Sequence, residues 1–79
     1  MLTLKLSAKC KTLEDLIAVL NRASDMISAG CECTTRDSEG TAAFGFEVNY
    51  DDRDDRTDSW VTFSKLAEGV ALEFDKLNP

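Results

Sequence analysis

The chain has 79 residues, 43% of them hydrophobic and 30% charged, which suffices for one small core and is too apolar for a disordered segment. Its formal net charge of −6 excludes non-specific attraction to nucleic acid or to an anionic membrane surface and favours a basic partner. Histidine is absent, which removes the commonest general base and the commonest metal ligand and points away from an enzyme.

Leu2, Leu4, Leu6 and Ala8 alternate with Thr3, Lys5, Ser7 and Lys9, the pattern of a half-buried strand with its leucines turned to the core. The clearest signal follows, from Thr12 to Gly30. Leu13, Leu16, Ile17, Leu20, Ala23 and Ile27 recur at helical spacing and predict an amphipathic helix with that stripe buried. Thr12 is a natural N-cap, Asp15 a shortened capping-box partner, and Gly30 the left-handed residue that ends the helix.

Cys31 to Arg36 reads as a second strand, Asp37-Ser-Glu-Gly40 as a turn, and Thr41 to Tyr50 as a third strand. In that third strand Phe44, Phe46, Val48 and Tyr50 share one face, and Ala43, Gly45, Glu47 and Asn49 the other. After a charged stretch, Ser59 to Phe63 reads as a fourth strand, with Val61 and Phe63 inward and Trp60 on an uncovered sheet face. Residues 64–79 fit two patterns. Val70, Leu72 and Phe74 alternate as in a strand, whereas Leu66, Val70, Phe74 and Leu77 fit a helix capped by Ser64, and the helix is favoured.

The expected architecture is a single α+β domain over residues 1–79, of βαβββα order. Its four strands form one mixed, mostly antiparallel sheet with both helices on one face. The first helix is a crossover, so the strands on either side of it run parallel if both join the sheet. The N-terminus has no continuous apolar signal-peptide region and no run spans a bilayer, so the expectation is the cytoplasm of the cell that makes the protein, with no membrane partner.

Three features are candidates for function. Cys10, Cys31 and Cys33 make an odd count. Cys31 and Cys33 are expected on one face of a strand. Cys10 lies at the other end of the helix, about 25 Å of chain rise away, too far for a shared metal site or a disulfide. No metal and no cofactor are expected. These residues read as free thiols, with an intermolecular disulfide through one of them as the sharper alternative. Asp51, Asp52, Asp54, Asp55 and Asp58 stand against Arg53 and Arg56, five negatives to two positives, a local charge of −3 that is half the chain's total. Calcium-loop spacing fails there, because no glycine occurs between Tyr50 and Gly69. A solvated loop is the plain reading, and an acidic finger that imitates phosphates in a basic groove is the functional one. Trp60, with small residues Ala43 and Gly45 nearby, has the composition of an interface anchor, and equally that of a sheet-edge residue packed under the acidic loop or the C-terminus.

The layout resembles that of small proteins of bacteriophage and prophage genomes. The residues that carry the likeness are the opening strand Leu2-Thr-Leu-Lys-Leu6, the amphipathic helix from Leu16 to Ala29-Gly30, and the hairpin turn Asp37-Ser-Glu-Gly40. In size, acidity and build the chain is similar to phage-encoded anti-CRISPR proteins. That group shares no common functional residues, so the resemblance transfers none. It implies a non-enzymatic inhibitor that binds a host defence complex at a basic, nucleic-acid-binding surface, with a type I CRISPR surveillance complex as first candidate and no direct contact with nucleic acid. The alternative is a homodimeric structural or assembly module, joined through the open sheet face or through Cys31 and Cys33.

Overall fold

The computed structural model describes residues 2–38, 40–49 and 56–78, with the side chains of 56–60 outside that description. Five elements follow in order: β1 (Thr3–Cys10), α1 (Leu13–Ser28), β2 (Cys33–Ser38), β3 (Ala42–Asn49) and α2 (Arg56–Leu77). The strands form one three-stranded sheet of order β1-β3-β2, and both neighbouring pairs are antiparallel. The strands flanking α1 therefore run in the same direction, as the crossover requires, with β3 inserted between them.

Strand β3 sets the two sides of the sheet. Its even positions, Ala42, Phe44 and Phe46, are buried with Val19 and Ala23 of α1, and Leu6, Ala8 and Val48 pack around them. On its odd side, Ala43 is buried with Leu66 and Val70 of α2, flanked by Phe63, Phe74 and Leu77. The expectation of both helices on one face is thus corrected. They cover opposite faces, giving three layers, and the face expected to be open is occupied by α2. The reason lies in the odd face itself: Ala43 and Gly45 are small enough to let a second helix lie close. A Cβ added at Gly45 would stand 2.5 Å from Leu66 Cδ1 and 2.9 Å from the Thr34 carbonyl oxygen.

The fourth strand is corrected as well. Ser59 to Phe63 belongs to α2, and Ser64 sits inside that helix instead of capping it. Phe63, Leu66, Val70, Phe74 and Leu77 form one continuous helical stripe, so the period favoured for the C-terminal segment extends back by another turn. Val61, expected inward, is exposed. At the far end the side-chain amide of Asn78 donates to the Phe74 carbonyl oxygen at 3.0 Å and satisfies one of the helix's last acceptors.

Helix α1 has the expected ends. The Asp15 N–H donates to Thr12 Oγ1 at 3.1 Å. Gly30 has φ +95°. Its N–H donates to the Ile27 carbonyl, and the Cys31 N–H donates to the Met26 carbonyl, both at 3.0 Å. This pair of bonds is the Schellman arrangement, and the apolar contact that accompanies it comes from Met26 and Cys31, both packed on the α1-side core. Strand β2 starts two residues later than expected and carries an irregularity between Thr34 and Asp37. That shift sets Asp37 opposite Phe44, where Arg22 Nη2 meets Asp37 Oδ1 at 2.7 Å. The pair ties α1 to a strand it does not otherwise cover.

Two glycines test this packing. Gly69 lies inside α2 with nothing within 4 Å of an added Cβ. Gly69→Ala should therefore stabilise the fold by roughly 1 kcal/mol through helix propensity, about 4–8 °C in Tm by calorimetry. At Gly45, by contrast, alanine meets a backbone oxygen that cannot step aside alone. Gly45→Ala should lose about 1–3 kcal/mol in urea unfolding, and an unchanged midpoint would show that α2 is not seated on this face.

Candidate interaction surfaces

The acidic stretch connects β3 to α2. Asp51, Asp52, Asp54 and Asp55 lie outside the described residues. Asp58 and Trp60 lie within the backbone of α2, and their side chains fall outside the description. Trp60 is therefore a helical residue and not a strand residue on a bare sheet. The elements on either side are packed into the fold. Asn49 closes β3 opposite Thr3, and α2 is held to the sheet through Leu66 and Val70.

Near these flanks, the edge of the sheet and the first half of α2 enclose a groove of about 290 Å³, with Cys33, Glu47, Thr62 and Lys65 around Leu66. Glu47 and Lys65 give it one charge of each sign. Its walls are mainly apolar, and among the described residues no group of three or more His, Cys, Asp or Glu side chains is placed to hold a metal ion.

The cysteines are separated by the fold. Cys31 packs against the α1-side core, whereas Cys33 pairs with Glu47 and lines the groove on the α2 side. The expectation of one shared strand face is corrected, because Cys31 serves as the residue after the helix-ending glycine and lies outside β2. Cys10 is half-buried and its thiol pKa is raised above that of an ordinary thiol, first by burial and then by the negative charge of Asp15. All three are free thiols.

A further surface was not anticipated. Leu13, Leu16, Ile17 and Leu20 of α1 are exposed, Leu13 by 72% and Ile17 by 50%, whereas Val19 is 1% exposed. The helix meets the sheet through Val19, Ala23 and Met26, with Ile27 at the margin. At 3.6 residues per turn, the centre of the exposed residues lies roughly 110° round the helix from Val19. The signal in the sequence was the width of the apolar arc. Counting Val19 and Met26 along with the stripe gives about half the helix circumference, more than one sheet can cover. Leu2 and Leu4, expected in the core, are also exposed. With Ile27 and Val48 they line an apolar groove of about 260 Å³.

Comparison with family models, curated proteins and solved structures gives no match. Among the described residues, no helix is long and apolar enough to cross a membrane.

The thiols give a direct check on this placement. Exposed Cys33 should react first with a maleimide at neutral pH, and Cys10 last, because its thiolate is disfavoured. The same raised pKa makes the folded state hold a proton that the unfolded chain has lost. Stability should accordingly fall as pH rises above about 9, and Cys10→Ser should flatten that slope. Mass spectrometry of partly labelled protein orders the three sites, and early labelling of Cys10 would contradict its half-buried position.

Proposed function

We propose that the chain is a non-enzymatic inhibitor that docks on a basic, nucleic-acid-binding surface of a host defence complex and excludes DNA from it. The observation that carries this reading is the density of charge after β3: five aspartates within the eight residues from Asp51 to Asp58, on a chain whose net charge is −6. Carboxylates at this density suit a site built for successive phosphates, because they offer the same sign of charge at short intervals along the chain. Trp60, two residues beyond Asp58, is the candidate apolar anchor.

The absence of histidine and the raised pKa of the Cys10 thiol, a shift in the direction that suppresses a nucleophile, fit binding better than catalysis. Inhibition then proceeds by electrostatic and steric exclusion, with a type I CRISPR surveillance complex as the first target to try.

The test is binding of the intact protein to that purified complex, with and without target DNA, across a salt series. Docking through the aspartates should weaken steeply as salt rises and should compete with DNA. Asp→Asn at 51, 52, 54 and 55 together should weaken it by at least about tenfold, the equivalent of ~1.4 kcal/mol. Binding indifferent to both salt and substitution would remove the acidic stretch from the interface.

A further inference from the structure

The exposed flank of α1 carries an inference independent of the inhibitor reading. We propose that this flank, with the Leu2–Leu4 end of β1, is the interface with a second copy of the same chain. Three observations converge on that occupant.

The first is area. Leu2, Leu4, Leu13, Leu16, Ile17 and Leu20 are each between 37% and 72% exposed. Together they present on the order of 600 Å² of apolar surface, at the upper end of what a monomer shows. Two such patches face to face reach about 1,200 Å², the lower bound for a stable protein interface, before any rim is added.

The second is charge. Leu13, Leu16, Ile17, Leu20, Ser24 and Ile27 follow one another along the flank with no ionisable residue among them. Glu14, Asp15, Arg22 and Asp25 project from the remainder of the helix circumference. A partner chosen for charge finds nothing to read here. For two copies at −6 each, however, repulsion is least where neither presents its charge, and the flank supplies such a place on both.

The third is position. Arg22 faces β2 through Asp37, so the opposite side of α1 faces β1, as the groove shared by Ile27, Leu2 and Leu4 requires. Strand β1 is an edge of the sheet. The flank and the edge therefore form one self-complementary side, which a twofold axis closes at two subunits.

Sedimentation velocity on the intact protein under reducing conditions, from about 1 to 100 µM, tests the proposal. The wild type should be a dimer at the upper concentrations, unaffected or strengthened by added salt. The Leu13→Ser/Ile17→Asp double variant should be folded by circular dichroism and monomeric by sedimentation, with association weakened at least about 100-fold. Leu72→Ser, which changes an exposed leucine on α2, should leave the dimer intact. A wild type that stays monomeric at 100 µM overturns the proposal. So does a dimer that survives the double variant or that salt dissociates. Reducing conditions ensure that a dimer through Cys33 is not mistaken for this one.

Discussion

The fold depends on the unequal faces of β3. One face carries Phe44 and Phe46, both essentially fully buried, and the other carries Ala43 and Gly45. A sheet with two faces needs two covers, and a sheet of three strands is thin enough for each cover to be one helix. Large side chains on the even face hold α1 away from the backbone and fill the space beneath it. On the odd face the bulk comes from the helix instead, since Leu66 descends onto the place where Gly45 has no side chain. This alternation of large and small across the two interfaces is what lets 79 residues build two hydrophobic clusters. Loss of either phenylalanine ring would cost about 3–5 kcal/mol, against a stability of roughly 5–15 kcal/mol for a domain of ordinary size.

Given that frame, the rotation of α1 is set by a few contacts. Val19 and Ala23 meet the phenylalanines, and small Ala23 allows the approach. Arg22 reaches Asp37 on one side. The Schellman turn fixes where the chain leaves, and the Lys11 N–H bond to the Thr41 carbonyl oxygen at 3.2 Å fixes where it enters. The ion pair is partly exposed and contributes about 1 kcal/mol or less, so its effect is on orientation more than on stability. On the other face, Lys9 lies over the Phe74 ring at 5.1 Å and near Asp75, which ties β1 to the far end of α2. With both helices so held, the leucines of α1 cannot turn inward without breaking these contacts.

Local chemistry was legible in the sequence, and layer assignment was not. The Thr12 cap, the Gly30 terminus, the positive φ of Gly40 at +75° and the alternation of β3 each depend on residues within a few positions of one another, and each is present, although Asp37 and Ser38, expected in a turn, extend β2. The side of the sheet that α2 would cover depends on long-range packing. Ala43 and Gly45 were read as bare surface near an anchor, although small residues on a strand serve equally as a seat for a helix. Over Ser59 to Phe63 the alternation spanned too few residues to outweigh a helical period running from Phe63 to Leu77. The α1 stripe was read as core because apolar residues at helical spacing usually are. Its breadth, not its period, carried the information that part of it stays outside.

An apolar flank without ionisable side chains, on a chain of net charge −6, has a physical consequence. An apolar patch on a nearly neutral chain invites indiscriminate association, whereas here a net charge of −6 raises the cost of every approach except one that aligns uncharged surface with uncharged surface. Charge then acts as a filter on an interface to which it contributes no attraction. Pairing through α1 would also bring two acidic stretches onto one particle. A target with two basic sites within reach would meet the second stretch at the effective concentration set by that particle and not by bulk solution. Binding through weak, salt-sensitive contacts could in that way become tight without any single contact becoming strong, and it would lose that tightness whenever the dimer came apart.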